Sequence, residues 1–497
     1  MKRILICCTW LLMLVSFSGC KKWLELKPQD GIVREDFWKT KEQVQAGVTG
    51  IYASLLGNSN GDVPIPEYLF LWGEARGDMM IPGFRASGDE IDMVNINTLP
   101  TNYYINWRYF YQTINYCNTV IELAPAVLQS DNTFSQEQLN EAVAQALALR
   151  SLMYFYLVRS FGEVPLKLDA TISDQDLAAI PKSSQDTVLN QIVKDLKAAE
   201  PNLPLSYGNI NTDKGRITRY TANAILADVY LWMDKYNESI AECDKIINSR
   251  RFALVAGTSF FNQVFVNGNS AEGIFELQYD AQKLNPFYNM HLASTRRWGA
   301  AAHLTEFVYG IDAINAPPKE DIRGAGCAYR ASDLTIWKYI GVNAVSNTIR
   351  SADQSYAHWI FYRYADILLL KAEAINQLSR PLEASRIVKT IRERANAVDF
   401  DGAMDSTSKA SMTDYILGER QREFAFEGKR WYDLLRNAKR NNYERLDLLL
   451  RAAAYSVAPD RQQSAFSKLR DKNSHYFPIY FYELQTNKLL VQNPFYK

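Results

Sequence analysis

The stretch TRYTANAILADVYLWMDKYNESIAECDKIIN, residues 218–248, decides the fold. Ala222, Leu226, Val229 and Met233 recur at spacings of four, three and four, which places them on one face of a helix with 3.6 residues per turn. Asp234-Lys235-Tyr236-Asn237 interrupts the pattern as a turn, and Ile240, Ile246 and Ile247 resume it. Two short amphipathic helices joined so tightly must lie side by side. Working outward, residues 364–394 repeat the arrangement, broken at Ser379-Arg380-Pro381. Single helices are predicted over 41–56, with Val44, Val48, Ile51 and Leu55 as the apolar stripe, over 104–123, stopped by Pro125, and over 185–200, ended by Pro201 and Pro204. The strongest is 135–161. Ser135 and Gln138 stand in capping-box spacing, Leu139, Ala142, Ala146, Leu149, Met153 and Tyr156 line one face, and Leu147, Tyr154 and Leu157 a second. A helix apolar on both sides is central.

The two pairs resemble tetratricopeptide repeats, but more than a hundred residues of different character separate them. The predicted fold is therefore mostly α, with helix pairs as a scaffold that carries long irregular insertions and a minor β component. Composition agrees. Glycine numbers only 24 in 497 residues, too few for a many-turned all-β chain, and 47% hydrophobic residues supply a large core. Lys plus Arg and Asp plus Glu are 55 each, so the chain lacks the basic excess that neutralising many phosphates requires, and nucleic acid is not an expected partner. The insertions are residues 57–102 and 251–355, and loops of that length are seldom idle. Within the second, 272–279 alternates apolar and polar side chains as a half-buried strand would.

The chain starts with Met1-Lys2-Arg3, an apolar run to Phe17, and the small residues Ser18-Gly19 before Cys20. This is the pattern of a secretory signal, too short to span a bilayer. Phe17-Ser18-Gly19-Cys20 resembles a bacterial lipobox, with Phe17 in place of the usual Leu. The resemblance implies removal of residues 1–19 as a lipoprotein signal peptide and acylation of Cys20, whose chains would hold the protein in the outer membrane. Residues 21–36, polar with Pro28 and Gly31, read as a tether. The rest, 20–497, is expected to be one body: a helical half over 20–250, the irregular ligand-face insertion over 251–355, and a C-terminal region over 356–497.

Familiar catalytic motifs are missing. The six cysteines form no CxxC pair, the four histidines stand far apart, and there is no phosphate loop, nucleophile elbow or HExxH. The cysteines of the body, Cys117, Cys243 and Cys327, read as small buried hydrophobes. No cofactor is expected. Residues 57–62 hold oxygen ligands at close spacing without the EF-hand pattern and read as a turn, so a structural calcium ion would have no site identifiable in the sequence.

Further on stands ERQREFAFEGKRWYDLLR, residues 419–436, dense in Glu and Arg. It is similar to the signature of the SusD/RagB family. Cys20 with Trp23-Leu24-Glu25 and Pro28 resembles the family's lipidated start. Asp195-Leu196 with Leu203-Pro204, Tyr364-Ala365-Asp366 with Glu373-Ala374, and the ending from Phe477-Pro478-Ile479 to Asn493-Pro494-Phe495-Tyr496 match its later marks. The resemblance implies the SusD-like fold and a surface lipoprotein of the outer membrane, facing the exterior. It implies, further, a protein that captures oligosaccharides and delivers them to a SusC-like TonB-dependent transporter, without enzymatic activity. A peptide- or protein-binding uptake lipoprotein on the same scaffold, and a glycosidase, are the alternatives; two carboxylates suffice for the latter. Residues 419–436 themselves read as scaffold, with Glu423, Glu427, Arg430 and Asp433 on one helical face pairing their charges.

A sugar presents flat C–H patches and a rim of hydroxyls, so its site pairs exposed aromatic faces with Asp, Asn, Gln or Arg. The candidates in the first insertion are Asp78, Phe84, Arg85 and Asn102, and in the second Tyr288, Asn289, Trp298 and Trp337. Trp298 follows Arg296 and Arg297 in a stretch without core periodicity. Trp107, Trp232 and Trp431 fall on helical stripes and are predicted to be core.

Overall fold

The helix pair of residues 218–248 forms as its pattern requires. In a computed structural model, Arg219–Trp232 and Tyr236–Asn248 are helices, with Asp234 left-handed at φ +58° in the turn between them. Thr218 opens the first by accepting the Thr221 N–H. The second pair is Tyr364–Gln377 and Pro381–Arg394, with Ser379 at φ +60° in its turn. The structure describes residues 37–57, 63–172, 178–312, 319–343, 345–398 and 404–497. The signal peptide, Cys20, the tether and most of the 57–62 turn lie outside them.

The two pairs are neighbours in space. Helix Tyr236–Asn248 packs on Tyr364–Gln377, so the intervening insertion leaves the helical stack and returns to it one helix further on. Earlier in the chain Lys41–Leu55 packs on Arg108–Ser130, that helix on Gln136–Phe161, and that in turn on Gln185–Ala199. Gln136–Phe161 is central, and every residue from Ser151 to its end is buried. At its start the Ser135 hydroxyl accepts the Gln138 N–H while the Gln138 side chain accepts the Ser135 N–H. One apolar core runs from Val44 to Leu490 and takes in Trp107, Trp232 and Trp431, as predicted. Cys117, Cys243 and Cys327 are buried thiols.

Four expectations are corrected. Pro125 does not stop its helix, which continues to Ser130: the proline lies on the exposed side, so the hydrogen bond that its missing N–H forfeits is not lost in the core. Residues 57–102 are not without helix: Ile65–Glu74 is one, and all ten of its residues are buried, which erases the one-sided period. The strand Gly273–Leu277 is fully buried rather than half-buried, and pairs antiparallel with Trp359–Arg363. Its polar position is accommodated because the Glu276 carboxylate meets His358 Nδ1 at 2.8 Å.

The fourth concerns the Glu/Arg-rich signature. Its helix Lys409–Glu423 ends where Phe424 caps it, and a new helix runs Arg430–Tyr443. Phe426 and Gly428 between them have φ of +65° and +70°. The break lets Glu74 Oε1 accept the N–H groups of Gly428 (2.8 Å) and Lys429 (3.2 Å). Glu423, Glu427, Arg430 and Asp433 therefore share no helical face. Their partners are set by the tertiary fold: Glu423 meets Arg323, Arg363 and Arg394, Glu427 meets Arg363 and Lys338, Arg430 meets Asp78, and Asp433 meets Arg420 across the break as well as Arg436 of its own helix. The scaffold role holds, through tertiary pairs.

Candidate functional site

Two three-residue strands join the insertions. Met80–Pro82 pairs antiparallel with Trp298–Ala300, and the pairing continues as Ala301 N–H donates to the Met79 carbonyl at 2.9 Å. The junction carries Asp78, just before one strand, and the single π-helical turn Leu304–Val308, just after the other, into the same place. Three helices close it: Lys409–Glu423, Arg430–Tyr443 and Asp447–Ser456. Between them lies an open cleft of about 400 Å³.

Phe307 and Tyr455 face this cleft with 61% and 51% of their surface exposed. Tyr455 is held by the His303 ring, stacked on it with centroids 4.2 Å apart and planes inclined by 22°. At the base Arg430 Nε and Nη2 donate to Asp78 Oδ1 and Oδ2 at 2.7 and 2.8 Å, a bidentate pair with both partners buried. Burial raises the Asp78 carboxyl, but the Arg430 charge and hydrogen bonds outweigh it and hold Asp78 below its ordinary value. Burial pushes the His303 imidazole below its usual range; Asp78 works against that shift and Arg430 with it, so the ring is uncharged at neutral pH. Gln421, Asp414 and Arg451 complete the polar lining. Two exposed rings, an amide and an uncharged imidazole around an open hollow suit a ligand with flat apolar faces and a polar rim.

The predicted residues divide. Asp78 lines the cleft through its pair with Arg430. Phe84, 69% exposed, and Arg85 project to solvent just beyond the ribbon, where the Arg85 N–H donates to the Arg296 carbonyl. Asn289 is exposed and Tyr288 is half-buried against the core; none of these four lines the cleft. Trp298 and Trp337 are both 0% exposed and offer no face to a sugar. Trp298 Nε1 donates to Glu90 Oε1 at 2.8 Å, and Arg297 ties to the same oxygen, so this tryptophan pins the ribbon from inside. Trp337 lies under a turn closed by Gly341, whose N–H donates to the Trp337 carbonyl at 2.8 Å. Asn102 is buried as a cap, accepting the Tyr104 N–H and donating to the Asp89 carbonyl. Both predicted tryptophans are thus drawn into the interior, Phe84 stays exposed away from the cleft, and the rings that face the cleft are others.

Phe307, too, is an aromatic in an aperiodic stretch, and nothing in its immediate sequence sets it apart from Trp298. Tyr455 follows Leu448 and Ala452 at spacings of four and three, so periodicity assigns it to a buried stripe. Among the described residues no group of His, Cys, Asp and Glu could hold a metal ion.

The architecture is that of a helical-repeat scaffold whose insertions and C-terminal helices enclose a ring-lined cleft. The SusD family model matches residues 323–496, and a second, described as starch-binding and associating with the outer membrane, matches 22–231. A SusD-like protein of Formosa agariphila is 28% identical over 478 residues, covering 86% of this chain and 90% of its own. The crystal structure of a SusD superfamily protein from Bacteroides vulgatus superposes with a TM-score of 0.75 at 23% identity, over 92% of this chain and all of that one (100%). A laminarin-binding SusD-like protein superposes at 0.67 and 20% identity, over 92% of this chain and 99% of its own. The chain belongs to the SusD/RagB family.

Proposed function

We propose that the protein captures oligosaccharides in the cleft between Phe307 and Tyr455 and passes them, uncleaved, to a SusC-like TonB-dependent transporter, while acylated Cys20 holds it on the outer face of the outer membrane. The observation that carries the reading is the pair of bare aromatic rings around a polar hollow, on a scaffold shared with a laminarin-binding relative. The lipobox-like Phe17-Ser18-Gly19-Cys20 and the outer-membrane description of the matching N-terminal model support the location.

Affinity electrophoresis through gels of laminarin, starch and other polysaccharides tests it, with the mature protein and its Phe307→Ala and Tyr455→Ala variants. Loss of one stacking ring removes about 1–2 kcal/mol of contact, roughly a 5- to 30-fold weaker Kd. Retention of both variants equal to that of the parent, at unchanged melting temperature, rejects the cleft.

A further inference from the structure

Resting on the reading just given, we infer that the cleft selects uncharged glycan chains over uronate- or sulfate-bearing ones, and that Gln421 and His303 are the side chains that read the hydroxyls.

Selectivity follows from which groups are already engaged. An anionic sugar needs a cation free to meet it, and both cations lining the cleft have carboxylates. Arg430 gives Nε and Nη2 to Asp78 and Nη1 to the Leu417 carbonyl, and Arg451 Nη2 stands 3.1 Å from Asp447 Oδ2. Drawing Arg430 toward a ligand would leave Asp78 buried, charged and alone, a penalty far larger than a surface pair returns. Asp414 adds repulsion: only its Oδ1 is bonded to Arg445, and its side chain is half exposed at the rim. The charges of the lining are thus paired and balanced, and they offer a carboxylate or sulfate no net attraction.

A hydroxyl asks for something different, one donor and one acceptor at neutral charge. The Gln421 amide offers both and takes part in no hydrogen bond or ion pair among the described residues. His303 Nε2 is buried without a hydrogen-bond partner there, although its ring lines the cleft. A ring nitrogen buried without a partner carries an unmet hydrogen bond, and its ring borders the hollow in which a ligand hydroxyl would sit. Both polar groups stand with the exposed Phe307 and Tyr455 rings around one hollow, so C–H faces and hydroxyl rim can be met together.

The test is affinity electrophoresis and calorimetry of the mature protein against two panels: laminarin, starch, xylan and galactomannan, and polygalacturonate, alginate and a sulfated galactan. Retention confined to the uncharged panel is expected, with Gln421→Ala and His303→Ala each weakening Kd at least ~5-fold, the loss of one hydrogen bond. Gln421→Lys should gain measurable retention by the anionic panel. Anionic retention by the parent equal to or stronger than neutral, and lost in Phe307→Ala, overturns the selectivity while leaving the cleft as the binding site. Unchanged neutral affinity in Gln421→Ala and His303→Ala, where Phe307→Ala weakens it, overturns the assignment of the reading groups. Retention by neither panel overturns the glycan reading and this inference with it.

Discussion

Replacing Glu423 by Gln changes one oxygen for a nitrogen at the centre of the buried ionic network. Glu423 Oε1 accepts from Arg363 Nη1 at 2.6 Å and from Arg394, and Oε2 accepts from Arg323 Nη1 at 2.8 Å, with all four side chains buried or nearly so. Breaking a buried ion pair costs about 3–5 kcal/mol. The lower end applies, because Arg323 keeps Asp321 and Glu419, and Arg363 keeps Glu272 and Glu427. At about 2 cal/mol/K of unfolding entropy per residue, a chain of 497 residues changes by about 1 kcal/mol per degree, so Tm should fall by about 3 °C at about pH 7. The acid dependence is a second signature. Burial alone would raise the Glu423 carboxyl, but Arg394, Arg363 and Arg323 hold it well below the ordinary carboxylate range. A folded-state pKa below the unfolded one means that the contribution is complete above about pH 5 and is lost as pH falls further. The gap between parent and Glu423→Gln should therefore narrow by about 2 kcal/mol between about pH 6 and about pH 3. Thermal unfolding of the mature protein followed by far-UV circular dichroism measures both. A Tm within about 1 °C of the parent at neutral pH, or a gap that does not shrink in acid, refutes the account of the network.

Trp298→Ala removes a fully buried indole and its hydrogen bond to Glu90, and should cost about 3–5 kcal/mol of stability while the folded variant keeps its glycan affinity. Weaker binding at unchanged Tm would return this ring to the ligand. Gly73→Ala would place a Cβ 1.9 Å from the Gly428 carbonyl oxygen, backbone against backbone. Over-packing there should cost about 3 kcal/mol or more, seen as lost soluble yield or a lower denaturation midpoint, and parental stability would contradict the close approach.

The helical frame was legible because local spacing alone dictates it. Val44, Val48, Ile51 and Leu55 are the buried residues of their helix, and Ser135 caps where its spacing with Gln138 required. Where the period vanishes, as in Ile65–Glu74, the helix was invisible for a physical reason: burial on every side leaves no polar face to mark the turn. The Glu/Arg-rich segment reads correctly as scaffold, but key partners such as Arg323 and Asp78 lie a hundred residues or more away in the chain. Spacing within the segment could not name them.

The identity of the open rings was the least legible. An aromatic in an aperiodic stretch is either drawn into the core or left at the surface, and composition does not distinguish the two. Trp298 went inside because Glu90 was waiting for its N–H and the strand pairing with Met80–Pro82 turned it inward. Phe307 stayed out, and Tyr455 became its counterpart although its helical register placed it with the core. By itself the sequence determined the helix pairs, their caps and turns, the lipobox-like start and the family resemblance, since each depends on residues within a few turns of one another. Only the tertiary structure decided which rings meet water and which charges are already paired, because both depend on segments distant in the chain packing together, and only that packing exposes or covers a side chain.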